Sequence, residues 1–208
     1  MEFWNDIATD NSWKVLLQLR KRFKFTLIGG WAVYLLTKAL KSKDIDMIVD
    51  FETLGWLKEE YVMNKNENLK KYEIKIEGVS VDVYVPYYSK LVIPVENILK
   101  RTIIVEGFFI PETEVLLILK QGAELNRKDS VKGQKDRIDI LNLLIGSTIN
   151  IRNYRKILSD YKIQDYEKRL RTIIKTARKE FEFLGLRDLR KIKLVKEEIL
   201  EKLEQNGQ

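Results

Sequence analysis

The chain contains no histidine and no cysteine among its 208 residues. The absence of cysteine excludes disulfide bonds and thiolate metal sites. The absence of histidine excludes Ser-His-Asp and Cys-His nucleophilic catalysis and histidine-ligated zinc. Any catalysis must therefore use Asp, Glu, Lys, Arg, Ser or Tyr, and a bound metal ion is the simplest way for such residues to act.

Long apolar runs are also missing, and none approaches the roughly 20 residues that a membrane span requires. The N-terminus lacks the basic and apolar regions of a signal peptide, so we expect a cytoplasmic protein without a membrane partner. With 45% hydrophobic and 33% charged residues and only 3 prolines, the composition is that of a globular protein. Its length allows one large domain, or a domain with an appendage.

Positive charge is unevenly distributed along the chain. Of the formal net charge of +7, residues 150–208 carry +6, because 16 Lys and Arg stand there against 10 Asp and Glu. A basic segment beside a near-neutral one is typical of a protein that binds a polyanion such as RNA. Solvated helix faces rich in ion pairs would give the same composition, so both interpretations stay open.

One stretch combines a glycine pair with two closely spaced carboxylates. An apolar strand-like run ends at Gly29 and Gly30, a helical pattern follows, and a second strand over 44–50 carries Asp44 and Asp46. Strand alternation places both carboxylates on one face, with Cα atoms roughly 6.5–7 Å apart. They repel each other unless a cation lies between them, and hard oxygen ligands suit Mg²⁺. Glycine at a strand-to-helix turn lets backbone N–H groups approach a phosphate, so the stretch predicts a site for a metal-bound nucleoside triphosphate.

A third carboxylate follows in a predicted hairpin formed by residues 71–77 and 79–85. Asp82 stands on the polar side of its second strand, between valines that face the other way. If this strand lies beside the strand of the first two carboxylates, all three converge at one place. Two would then hold a metal ion, and the third would bind a second ion or accept a proton from an attacking hydroxyl.

The whole pattern resembles the DNA polymerase β-type nucleotidyltransferase superfamily. The residues that carry this resemblance are Gly29, Gly30, Ser42, Asp44, Asp46 and Asp82. It implies an α+β fold, with a small mixed β-sheet flanked by helices and followed by a C-terminal helical region. It also implies that Gly29, Gly30 and Ser42 contact the nucleotide phosphates. The three carboxylates Asp44, Asp46 and Asp82 would be catalytic and would bind Mg²⁺ or Mn²⁺.

A narrower resemblance lies downstream, to AbiEii-type nucleotidyltransferases, which include toxin components of toxin–antitoxin systems. It is carried by Lys120, Arg127, Lys135, Asp136 and Asp139, on helices predicted over 112–126 and 133–145. The resemblance implies that Lys120 and Arg127 face the triphosphate and that the other three line the same cleft. Helical spacing places Lys120 and Arg127 on one face. The alternatives are an ordinary surface lysine at position 120, and aspartates that only cap the helix or pair with neighbouring cations.

For the organisation of the chain we predict a catalytic domain over 1–148 and a basic helical C-terminal region over 149–208. Within them, the pattern predicts a first helix over 11–22, a charged loop over 64–70 and a single helix over 164–184.

The sequence as a whole predicts an Mg²⁺- or Mn²⁺-dependent nucleotidyltransferase. It would move NMP from an NTP to an acceptor hydroxyl of RNA, such as a tRNA end, or of a protein or small molecule. The narrower resemblance adds a toxin role with an antitoxin partner. The alternatives are a non-catalytic binding or antitoxin-like module that keeps the fold, and a general basic RNA-binding protein.

Overall fold

The computed structural model describes residues 3–205. The chain divides after Glu112 into two compact units, called here the N-terminal unit and the C-terminal unit. The N-terminal unit consists of α1 (Asp6–Arg22), β1 (Thr26–Ile28), α2 (Gly29–Thr37), β2 (Ile45–Ile48), α3 (Phe51–Glu60), β3 (Met63–Asn66), β4 (Lys71–Ile76), β5 (Val79–Tyr84), α4 (Val95–Ile98), β6 (Thr102–Val105) and β7 (Phe108–Pro111). The C-terminal unit consists of α5 (Thr113–Arg127), α6 (Val131–Gly146), α7 (Ile151–Asp160), α8 (Asp165–Thr176), α9 (Lys179–Phe183) and α10 (Leu189–Gln205).

One mixed sheet forms the centre of the N-terminal unit. Among the described residues it has seven strands in the order β3-β4-β5-β2-β1-β7-β6. The pairs β2–β5 and β1–β7 are parallel, and the remaining pairs are antiparallel. The predicted α+β fold with a mixed sheet and a helical C-terminal region is confirmed. Within residues 3–205, no helix has the length and apolar character needed to cross a lipid bilayer.

The first helix starts earlier than the sequence pattern predicts. Asn5 caps it, because its side-chain oxygen accepts a hydrogen bond from the backbone N–H of Ile7 at 2.8 Å. Ser12, which stands at the predicted start, lies buried inside the helix and accepts a hydrogen bond from Trp31 Nε1 at 2.8 Å. The predicted start near residue 11 is wrong because the first turn of α1 is largely polar and exposed, and carries no apolar stripe.

The predicted charged loop over 64–70 is also partly wrong, since β3 occupies its first residues. β3 pairs with β4 in antiparallel register, so that Asn66 faces Lys71. It is an edge strand of mixed exposure, and its sequence Met-Asn-Lys-Asn therefore lacks the alternation of a half-buried strand. The remainder of the segment turns the chain back, with Lys70 in the left-handed region at φ 50°.

The predicted hairpin of 71–77 and 79–85 is confirmed as β4 and β5. Its two-residue turn consists of Glu77 and Gly78, at φ 49° and 82°, and such a turn matches the twist of the flanking strands. The turn sets a register in which Glu73 faces Asp82 directly.

In the C-terminal unit, the single helix predicted over 164–184 is interrupted. α8 ends at Thr176, and α9 begins at Lys179 after Arg178 leaves the helical conformation at φ −141°. The apolar residues at helical spacing in this segment are nevertheless all buried; they are Leu170, Ile173, Ile174, Ala177 and Phe181. The interruption is not visible in the sequence because the stripe keeps its helical spacing across it.

The predicted domain boundary near residue 148 falls inside the C-terminal unit, between α6 and α7. Glu114 on α5 holds the start of α7, accepting hydrogen bonds from the backbone N–H of Asn150 at 2.6 Å and from Asn153 Nδ2 at 3.1 Å. The division into compact units describes how the chain packs and does not test where independent domains meet. The domain boundary at 148 therefore stays a prediction. Residues 206–208 of the predicted C-terminal region lie outside the described residues.

Candidate functional site

The glycine pair lies where β1 passes into α2, and both glycines leave room for a predicted site residue. Gly29 has a φ of +69°, and a Cβ on it would overlap the Asp46 carboxylate. A Cβ on Gly30 would lie 2.7 Å from Ser42 Oγ. The structure therefore brings the glycine pair, Ser42 and Asp46 together, and the glycines serve this contact as well as the turn.

Gly29→Ala is expected to lower the free energy of unfolding by about 1–3 kcal/mol, because a left-handed backbone is strained for alanine and the Asp46 side chain must move. Gly55→Ala is the matched control. Gly55 lies in α3 with open space around it, so alanine there should be neutral or stabilise the helix by up to about 1 kcal/mol. Urea unfolding of both variants measures the difference, and equal effects would contradict the close contact at Gly29.

Two of the three predicted carboxylates lie on neighbouring strands. Asp46 and Asp82 are Cα partners in the parallel pair β2–β5, where adjacent strands are about 4.8 Å apart. Both residues are partly exposed, whereas their neighbours Ile45, Val81 and Val83 are fully buried. The condition stated for the sequence, that the Asp82 strand lies beside the strand of the earlier carboxylates, is met.

Asp44 lies just before the first residue of β2. Its carbonyl oxygen accepts a hydrogen bond from Ser42 Oγ at 3.0 Å, and Ser42 is itself buried. The predicted strand over 44–50 is thus shorter at both ends. Ser42 fixes the backbone that leads into the strand.

Lys71, which the sequence analysis did not single out, lies against Asp82. Its Nζ donates a hydrogen bond to Asp82 Oδ2 at 2.6 Å and lies 3.1 Å from Glu73 Oε1. Burial alone would lower the pKa of Lys71, but the hydrogen bond and charge of Asp82, together with Glu73, outweigh it and raise the pKa. The position of Glu73 could have been predicted from the sequence, because a two-residue hairpin loop at 77–78 places Glu73 opposite Asp82.

The donor atoms of this site suit a hard divalent cation. The carboxylates of Asp44 and Asp46 offer oxygen ligands of the kind that Mg²⁺ and Mn²⁺ prefer, and the Asp46 carboxylate occupies the space beside Gly29 that a side chain would otherwise fill. Within residues 3–205, no three acidic side chains stand close enough together to form a ready-made metal site. The chemistry of the residues fits the ion, and the three-carboxylate ligand set stays a prediction.

The five downstream residues form an ionic cluster in the C-terminal unit, called here the α5–α6 cluster: Lys120, Arg127, Lys135, Asp136 and Asp139. All but Arg127 are buried. Lys120 Nζ lies 2.7 Å from Asp139 Oδ2 and 3.3 Å from Asp136 Oδ1. Arg127 binds Asp136 with two hydrogen bonds, at 2.7 and 3.1 Å, and Lys135 pairs with Asp139. With three cations and two anions the cluster carries a net positive charge.

Burial determines the electrostatics of this cluster. Lys120 is only 7% exposed, so the interpretation as an ordinary surface lysine is wrong. Burial raises the pKa of the Asp139 carboxyl, but the charges of Lys120 and Lys135 outweigh it and hold the pKa below its usual value. Burial also lowers the pKa of the Lys135 ammonium. Asp139 pairs with its neighbour Lys135, and Lys120 joins the same pair.

No protein-family model and no curated protein matches the chain. Solved structures that are similar to it include an antigenic nucleotidyltransferase-like protein from Paracoccidioides brasiliensis and JHP933 from Helicobacter pylori. The first has 16% identity and a TM-score of 0.42, and the match covers 76% of this chain and 92% of that chain. The second has 16% identity and a TM-score of 0.48, with 98% and 96% covered. Both similarities are distant, so the function must be inferred from this chain's own residues.

Proposed function

We propose that the protein is an Mg²⁺- or Mn²⁺-dependent nucleotidyltransferase that moves NMP from an NTP to an acceptor hydroxyl. The observation that carries this proposal is the register of Asp46 beside Asp82, with the Asp46 carboxylate packed directly against Gly29. Two carboxylates on adjacent strands next to a glycine turn are suited to a cation and a phosphate chain. A chain without histidine or cysteine has few other routes to group transfer.

In the proposed reaction the acceptor oxygen attacks the α-phosphorus of the NTP. A new P–O bond forms, the bond from the α-phosphorus to the bridging oxygen breaks, and pyrophosphate leaves. The hydroxyl proton passes to a carboxylate of the site or to water. Asp44 and Asp46 would hold the metal ion, which would supply positive charge against the phosphates, and the backbone at Gly29 and Gly30 would position the phosphate chain.

The net positive charge of the α5–α6 cluster favours an anionic substrate such as a triphosphate over an uncharged one. Its net positive charge is held inside a largely buried network, in which Asp136 and Asp139 fix the cationic side chains. In our proposal Lys120 and Arg127 bind triphosphate oxygens, and Lys135, Asp136 and Asp139 keep them in place. This arrangement agrees with the AbiEii-type branch that the sequence resembles, and with it the proposal includes a toxin role and an antitoxin partner.

RNA is the acceptor class that the charge favours. The basic excess of residues 150–208 lies on amphipathic helices of the C-terminal unit, and a tRNA end would supply the hydroxyl. Binding through phosphate contacts weakens steeply as salt increases. A protein or small-molecule hydroxyl is the alternative acceptor.

The proposal is tested by incubating the purified protein with total RNA, Mg²⁺ or Mn²⁺, and each of the four NTPs labelled at the α- or the γ-phosphate. We expect α-label to enter the RNA and to be lost with EDTA, whereas γ-label stays with pyrophosphate. The paired labels are the control, because phosphoryl transfer would move the γ-label instead. Absence of α-label from RNA, protein and small-molecule fractions with all four NTPs would overturn the proposal.

A further inference from the structure

The ammonium group of Lys71 lies at the carboxylate site, and the proposed reaction gives it no role. Its Nζ is 2.6 Å from Asp82 Oδ2 and 3.1 Å from Glu73 Oε1. We propose that Lys71 takes the place of a second divalent ion beside Asp82, so that the site binds one metal ion per chain. This inference rests on the proposed function and resolves whether Asp82 binds a second ion.

The β3–β4 hairpin brings Lys71 to this position. Lys71 is the first residue of β4, opposite Asn66 of β3, directly after the turn that Lys70 completes at φ 50°. Strand alternation puts Lys71 and Glu73 on the same face of β4. Because Glu73 and Asp82 are Cα partners, the Lys71 side chain reaches both carboxylates at once.

Burial distinguishes Lys71 from the other lysines of the hairpin. The side chain of Lys71 is 12% exposed, whereas that of Lys65, which pairs with Glu67 at 2.6 Å, is 48% exposed. An exposed pair is screened by water and contributes little. The Lys71 pair is sheltered, and its charge acts at close range on the carboxylate that faces Asp46 in the sheet.

Charge then limits what Asp82 can bind. A divalent ion that approached Asp82 would meet the Lys71 ammonium within a few ångströms, and repulsion at that distance is strong in a partly buried site. Asp46 lies on β2, on the opposite side of β5 from the strand of Lys71, and the proposed function assigns Asp44 and Asp46 to one ion. Lys71 is therefore a positioning residue that acts through Asp82. Its ammonium group supplies the positive charge that the second metal ion supplies in a two-ion site.

A Mn²⁺ titration of the full chain, followed by the electron paramagnetic resonance signal of the free ion, tests the inference without a turnover assay. We expect one ion per chain in the wild type. Lys71→Met should bind two, because the ammonium group that repels a second ion from Asp82 is then removed, whereas Lys71→Arg should bind one. Lys65→Met removes an exposed lysine of the same hairpin and is the matched control, with one ion expected.

Two bound ions in the wild type, or one ion in folded Lys71→Met, would overturn the inference and leave the proposed function standing. No bound ion in the wild type would overturn both the inference and the metal dependence of the proposed function. If Lys71→Met does not fold, the wild-type count and the shorter neutral variant Lys71→Gln decide the question in the same way.

Discussion

Asp46→Asn is expected to lower α-label transfer by about 1,000-fold or more, the effect of losing several kcal/mol of charge stabilisation in the transition state. Asparagine keeps the size of the side chain but removes the negative charge next to Gly29. The fold should persist, because Asp46 faces another carboxylate across β2–β5 and like charges in facing positions do not stabilise a sheet. We expect the free energy of unfolding to change by less than about 1 kcal/mol.

Glu52→Gln is the matched control, since Glu52 is an exposed acid in α3 of the same unit. It should leave label transfer and stability almost unchanged. Asp44→Ala should lose transfer as Asp46→Asn does, because both residues are assigned to the same ion. Transfer that survives both Asp44→Ala and Asp46→Ala would refute the assignment of these carboxylates.

Asp139→Asn should have the largest effect on stability, a loss of about 3–5 kcal/mol in the free energy of unfolding. Asp139 is fully buried and paired with Lys120 and Lys135. Neutralising it leaves two largely buried ammonium groups without their shared counter-ion, and an unpaired buried charge is costly. Urea unfolding followed by circular dichroism measures the loss.

Glu201→Gln, an exposed acid of α10, is the control and should change stability by less than about 0.5 kcal/mol. The pH dependence gives a second check. Because the pKa of Asp139 is lowered in the folded chain, its stabilisation is present above the ordinary carboxyl value near 3.8 and is lost as the pH falls through the lowered value. Asp139→Asn should therefore flatten the loss of stability below about pH 4, and an unchanged slope would contradict the pairing.

The sequence was sufficient to predict the elements that hold the carboxylates. Alternation identified β5, and the glycine pair identified the passage from β1 to α2. The parallel pairing of β2 with β5 could not be predicted, because alternation shows which face of the sheet each residue lies on but not which strand is the neighbour. The α5–α6 cluster followed from a resemblance, while its burial could be learned only from the structure.

The residues that the sequence analysis missed are polar residues at an edge. β3 escaped detection because an edge strand of mixed exposure needs no apolar alternation. Lys71 lies inside the predicted strand 71–77, but the strand pattern alone does not show that its side chain reaches Asp82. The pairing of Glu73 with Asp82 could have been predicted from the register that the two-residue turn sets. The early start of α1 was not predicted because it depends on one capping side chain, that of Asn5, and no apolar pattern marks the first turn.

The strand order also determines which part of the site opens first. β2 is the middle strand of the seven described, with three strands on each side, whereas β3 is at an edge. Local opening of a sheet begins at its margins, where a strand has a neighbour on one side only. Amide hydrogens beside Asp46 should therefore exchange with solvent more slowly than those of the hairpin that carries Lys71. Asp46 and Asp82 therefore lie on strands β2 and β5 in the interior of the sheet, and Lys71 lies on β4, one strand in from the edge strand β3.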